Sequence, residues 1–182
     1  MAIVFHKESR CFHLYNAEVS YIIRIMENEQ LEQLYYGKRI HDREDFTYLH
    51  EECMRSQMSI NVPEPGILSM QYTKQEFPTY GTGDYRSPAL TIAQENGSRI
   101  VNFTYAFHEI YNGKKNILPL PATYVESGDE AQTLEITLHD AVMDTDLILS
   151  YTIYEEYPVI TRNAKVSHNG SEKIVLDKIM SA

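Results

Sequence analysis

Tryptophan is absent from this chain of 182 residues, and cysteine occurs only twice, as Cys11 and Cys53. Two cysteines do not make a disulfide framework, so a reducing, cytoplasmic setting is the simpler expectation. The lack of tryptophan argues against a free-standing carbohydrate-binding module of the usual kind. Clustered positive charge is missing as well. The formal net charge is -10, whereas nucleic acid demands a concentrated cationic face, so no nucleic-acid partner is expected. Long apolar runs are missing too. None approaches the roughly 18–20 residues needed to span a bilayer, and residues 1–7 lack the apolar run of a signal peptide, so no membrane partner is expected. There is no Gly-x-Ser-x-Gly, no cysteine with a placed histidine, and no glycine-rich loop ahead of a helix. His41 and Asp42 stand near His50, Glu51 and Glu52, but that spacing fits no metal site, so neither metal nor cofactor is expected. His6 and His13 flank a turn and read as surface residues.

What is present is β signal. Residues 3–5 and 11–15 are short apolar runs around a polar turn. Val19, Tyr21, Ile23 and Ile25 alternate with Ser20, Ile22 and Arg24, the period of a strand. A further strand is expected over 31–37, and residues 40–49 read as irregular and charged. One short helix is expected within 46–58, and Pro63 and Pro65 make 61–66 a loop. Residues 90–94 lead into Asn96-Gly97, a hairpin signal, and a strand over 100–110 with Val101, Phe103, Tyr105 and Phe107 on one face. Residues 118–121 read as extended, because each proline disfavours helix before it. Leu134, Ile136 and Leu138, then Leu147, Leu149, Tyr151 and Ile153, continue the inward alternation. Residues 160–166 are expected to pair with 174–180 across Asn169-Gly170. At least ten short strands make this an all-β chain, a large antiparallel β-sandwich with at most short helices, folded as a single domain over 1–182. The chain stops just after an apolar strand, which hints at truncation of a longer protein.

Two features invite a functional reading. One is tyrosine, which occurs 14 times. Phenols tile half-buried sheets, and they also build sugar-stacking platforms and subunit interfaces. The other is the stretch Gln75-Glu76-Phe77-Pro78-Thr79-Tyr80-Gly81-Thr82-Gly83-Asp84-Tyr85-Arg86-Ser87-Pro88. Prolines bracket it and two glycines sit inside it, so it is a shaped loop. Tyr80, Asp84, Tyr85 and Arg86 combine flat rings with a carboxylate and a guanidinium, the mixture that polyhydroxylated ligands and protein interfaces use. The plainer reading of the same residues is a surface loop whose Asp84 and Arg86 pair with each other.

Several segments carry a resemblance, in order and over essentially the whole chain. They are Phe12-His13-Leu14, Leu34-Tyr35-Tyr36-Gly37-Lys38, the loop just described with Ala89 after it, and Glu95-Asn96-Gly97-Ser98. They continue with Leu120-Pro121-Ala122-Thr123-Tyr124-Val125-Glu126, Thr133-Leu134-Glu135-Ile136 and Val159-Ile160-Thr161-Arg162. Together these resemble the N-terminal domain of the bacterial α-galactosidases of glycoside hydrolase family 36. The resemblance implies a β-supersandwich that precedes a (β/α)₈ barrel holding both catalytic aspartates. It implies that no catalytic residue lies in this chain. The implied partners are the enzyme's own barrel, neighbouring subunits of an oligomer and, through the parent enzyme, α-galactoside sugars of the melibiose or raffinose type. Tyr80, Asp84, Tyr85 and Arg86 become candidates for substrate binding or for an interface. The region over 46–60 departs from the family more than its flanks do. In some tetrameric members it reaches a neighbouring active site. A stand-alone sugar-binding or oligomerisation module is the alternative reading. A mutarotase-like sandwich enzyme would need a converging His/Glu pair that nothing in the sequence places.

Overall fold

The structure, a computed structural model, describes residues 1–51, 61–62, 68–70 and 72–180. Four strands open it: β1 (Ala2–His6), β2 (Cys11–Tyr15), β3 (Val19–Ile25) and β4 (Leu31–Lys38). They form one antiparallel sheet in chain order. Two two-residue strands, β5 (Asn61–Val62) and β6 (Leu68–Ser69), then pair with each other. After β7 (Leu90–Gln94) come β8 (Thr104–Asn112), β9 (Ala131–Asp140), β10 (Thr145–Tyr154) and β11 (Ile160–His168). These last four make the second meander, in the order β11-β10-β9-β8. The final strand, β12 (Ile174–Ile179), turns back to pair with β7.

The core lies between the two meanders and is closed by β7. Tyr21 and Ile23 of β3, Ile92 of β7, and Ile136, Leu149 and Tyr151 of the second sheet belong to one buried cluster. The inward faces alternate as strands must, since successive side chains point to opposite sides. β3 is buried on both faces. Its Ile22 joins Cys11, Leu34 and Phe46 in a second, smaller core. Phe46, with Ile40 and Leu49 packed beside it, therefore covers the outer face of the first sheet, while the charged residues His41 to Asp45 between them stay exposed.

Several expectations change in the structure. Among the described residues the expected short helix is only a 3₁₀ turn at Thr47–Leu49, and residues 52–60 lie outside the described residues. Asn61–Val62 is strand rather than loop, and 63–67 lie outside the described residues. Asn96-Gly97 does make a tight turn, with Gly97 at φ 83°, but it joins no hairpin, because β7 pairs with β12 and β8 with β9. Asn169-Gly170 likewise does not pair the strands on either side of it, since β11 pairs with β10. Residues 118–121 form a turn with a cis Leu118–Pro119 bond rather than an extended run. Phe107 does not share the inward face of Phe103. A bulge between Tyr105 and Phe107 reverses the alternation, and Phe107 is exposed.

Candidate functional site

The 75–88 loop is fixed from beneath. The Gln75 side-chain amide donates to the carbonyls of Met70 and Gly83, each at 2.8 Å, and the Thr82 hydroxyl to that of Val101 at 2.7 Å. Thr79 O accepts the amides of Gly83 and Asp84. Gly81 sits at φ 98°, where a Cβ would stand 2.9 Å from the Ile100 Cα. At Gly83 a Cβ would meet the Thr79 amide nitrogen at 2.9 Å. Both positions therefore need glycine, one for conformation and close approach and one for space.

The four residues singled out in the loop divide by role. Asp84 is partly buried and accepts the backbone amides of Arg86 at 2.8 Å and Ser87 at 3.3 Å. Burial alone would raise its carboxyl, but these amides and the Arg86 side chain outweigh that and hold it below the usual range. Its contact with the guanidinium is loose, 3.5 Å to Nε. Tyr80 packs edge-on against Tyr85, with ring centroids 5.5 Å apart. Tyr85 is half exposed, and the Arg86 side chain is 73% exposed. The loop is thus a stiff mount with one ring and one guanidinium at its tip.

The chemistry the sequence did not single out lies just below. Glu76 is buried between the sheets. Tyr21 of β3 donates to it at 2.5 Å and Tyr151 of β10 at 2.9 Å. Arg162 of β11 pairs with the same carboxylate at 2.8 Å and also reaches the Glu76 carbonyl at 3.2 Å. Burial pushes the Glu76 carboxyl up, against the pull of Arg162 and the two phenols. Burial also raises both tyrosines, and the adjacent carboxylate adds to it. Each carboxylate oxygen is engaged, so this acid joins the two sheets and presents no free oxygen to a substrate. Glu76 and Arg162 are 86 positions apart in the chain, and no local pattern signals their meeting.

A second cluster ties residues 40–50 to the first sheet. His13 Nδ1 and His6 Nε2 both meet Asp42 Oδ1, at 2.7 and 3.0 Å. The Ser20 hydroxyl lies 3.0 Å from His13 Nε2 and accepts the Ile40 amide. Contrary to the sequence reading, His13 is fully buried. Burial pushes its pKa down despite Asp42, so the neutral ring donates to Asp42 and accepts from Ser20. Hydroxyl, imidazole and carboxylate stand in the order of a nucleophile relay, but neither His13 nor Ser20 has exposed surface. Nearby, Glu32 is buried between Arg24 at 3.0 Å and His50 at 2.6 Å. No group of three or more His, Cys, Asp or Glu among the described residues is arranged to hold a metal ion. No helix among them is long and apolar enough to cross a membrane.

Residues 29–182 match the family model "Glycosyl hydrolase family 36 N-terminal domain". The chain is 36% identical over 181 residues to the α-galactosidase AgaA of Geobacillus stearothermophilus, a match that covers 100% of the chain and 25% of the relative. It resembles the crystal structure of the α-galactosidase from Lactobacillus brevis with a TM-score of 0.91 at 34% identity, over 98% of this chain and 24% of that one. A variant of the Geobacillus enzyme solved in complex with raffinose matches with a TM-score of 0.87 at 36% identity, over 94% of this chain and 24% of that one. The chain thus spans about a quarter of the length of AgaA and of the α-galactosidase Mel36A of Lactobacillus acidophilus.

Proposed function

This chain belongs to the glycosyl hydrolase family 36 N-terminal domain family, and on that premise we propose that it is the non-catalytic N-terminal domain of an α-galactosidase acting on terminal α-galactosides of the melibiose or raffinose type. The observation that carries this reading is the likeness to such enzymes over the full chain, at a quarter of their length. The buried acids agree with it. Retaining glycoside hydrolysis needs a nucleophile and an acid facing one bond at a fixed separation, whereas Glu76 and Glu32 are locked into ion pairs and hydrogen bonds inside the fold. The domain's task is to pack on a catalytic barrel and to support assembly of subunits around it. The Tyr85 and Arg86 tip serves that assembly, with Tyr80 and Asp84 holding it in shape. Ring-plus-guanidinium anchors of this kind are enriched at interfaces. A cytoplasmic setting fits a chain with two cysteines, of which Cys11 is a buried free thiol.

The test is hydrolysis of a chromogenic α-galactoside by this chain and by its full-length parent. The parent is expected to turn the substrate over and the chain alone to stay at background. Turnover by the chain that survives repurification and is lost in Glu76→Gln would overturn the reading.

A further inference from the structure

Residues 39–50 cross the outer face of the first sheet as a strap, and its fastenings differ at the two ends. The Arg39 amide donates to Glu18 O at 2.7 Å and sets the starting point. Just beyond it, one imidazole carries two fastenings. His13 Nδ1 donates to Asp42 at 2.7 Å, and His13 Nε2 accepts from the Ser20 hydroxyl at 3.0 Å. The Ser20 oxygen in turn accepts the Ile40 amide at 3.1 Å. This sequence of donors closes only with a neutral ring, because a charged imidazole donates from both nitrogens. The Ser20 hydrogen would then lose the acceptor it now has, in a fully buried site. The surroundings oppose the charge as well. Asp42 is the acid that faces His13, and it is shared with His6 of β1 at 3.0 Å. His6 and Arg39 of the strap face the ring with opposing charge when ionised. Tyr15 lies 4.6 Å away on the same strand, and Phe46 meets the ring edge-on at 5.0 Å. Burial outweighs Asp42 and lowers the pKa of the ring. The remaining fastening near this end, from the Ser9 hydroxyl to the Glu44 carbonyl, is exposed to water.

The far end tolerates protonation. His50 Nδ1 meets Glu32 at 2.6 Å, and Glu32 also faces Arg24 at 3.0 Å. A charged imidazole donates to a carboxylate as a neutral one does. Between the two ends the strap hides Cys11. The Phe46 amide donates to the Cys11 sulfur, with Arg24 and Asp45 as the charged groups nearby. The Phe46 ring packs with Cys11, Ile22 and Leu34, and Cys11 has no exposed surface. We propose that residues 40–46 are an acid-released strap: charging of His13 frees them from Ser20 and uncovers the Cys11 thiol, while the His50–Glu32 contact keeps the far end in place. The direction follows from linkage. With the strap lifted, His13 meets water and binds a proton at its ordinary 6.5, more tightly than in the closed state. Opening is therefore favoured as pH falls through that value. One proton sets the ceiling, a rise in the open fraction of at most about tenfold between about pH 7.5 and about pH 5.5.

The experiment follows disulfide exchange of Cys11 with dithiodipyridine in the full-length parent, by peptide mass mapping. Each rate is divided by that of the urea-unfolded protein at the same pH, so that the titration of the thiol itself cancels. A covered thiol reacts only through opening of its cover. The ratio is expected to rise at least about threefold, and no more than about tenfold, from about pH 7.5 to about pH 5.5. His13→Gln, whose amide donates to Asp42 and accepts from Ser20 without taking up a proton, should hold the ratio constant. An equal ratio at both pH values in the unmodified protein would overturn the proposal. The same rise in His13→Gln would overturn it too, by assigning the release to another group. If that variant does not fold, amide hydrogen exchange of the unmodified parent decides, with protection corrected for the intrinsic rate at each pH. Protection should fall in acid at the Ile40 and Phe46 amides and hold at Leu49 and His50, which bond to Phe46 O and Thr47 O within the 3₁₀ turn. A loss spread evenly over the strap, β2 and β3 would show that acid loosens the whole sheet, and would overturn the strap as a separate device.

Discussion

At the scale of single residues, the informative contrast is between two arginines. Arg162 pairs with a carboxylate sealed inside the fold, while Arg86 stands at the loop tip with a loose local contact. Removing one partner of a buried pair leaves an uncompensated charge, so Arg162→Met is expected to lower folding stability by about 3–5 kcal/mol in urea denaturation. Arg86→Ala should change it by no more than about 0.5 kcal/mol. His13 supplies the pH dependence. Burial sets its folded pKa below the ordinary 6.5, so the unfolded chain takes up that proton first as pH falls. The stability from the neutral ring is fully present above 6.5 and is lost as pH falls from there towards the lowered folded value. His13→Gln, which cannot take up a proton, should flatten the dependence of melting temperature on pH between about 7 and 5. An unchanged slope would show that other groups carry it. Neither site was legible beforehand. His13 lies in a short run that reads as surface, and Glu76 is one acid among the loop's polar residues. What sets each apart is the sheet or segment that covers it.

At the scale of elements, strand extents were legible and strand partners were not. β2, β3 and β7 fall at the residues expected, β3 from its period-two alternation and β2 and β7 from short runs beside turn residues, because both signals are local. Asn96-Gly97 marks a tight turn correctly, whereas Asn169-Gly170 forms only a bend. Neither dipeptide chooses the strand beyond. β7 leaves its Asn-Gly turn and finds β12. The 75–88 loop was legible as a shaped segment from its prolines and glycines. Its stiffness leads to a comparison of two glycines at positive φ. At Gly97 an added Cβ meets nothing within 4 Å, whereas at Gly81 it would press on Ile100. Gly97→Ala should cost about 1 kcal/mol from backbone conformation alone. Gly81→Ala should cost about 2–3 kcal/mol, and equal urea midpoints for the two variants would show that the loop yields at Ile100.

At the scale of the whole molecule, the two meanders act as one body, because their facing surfaces share a core and the Glu76 cluster joins both sheets. A rigid body of this kind can transmit a docking contact without deforming. In the full-length parent, Arg86→Ala is therefore expected to weaken subunit assembly or raise KM, with a loss of about 1–2 kcal/mol where the arginine anchors an interface. Light scattering and kinetics at matched concentration would measure it, and a large fall in melting temperature with assembly and KM unchanged would make the loop purely structural. The residues by themselves determined the fold class, the places of most strands and the family, because alternation, turn dipeptides and motif segments are written in neighbouring positions. Only the tertiary structure decided which strands pair and which acids are sealed between the sheets. Burial arises when distant faces meet, and Tyr21, Glu76, Tyr151 and Arg162 share one site only after both sheets have closed on it.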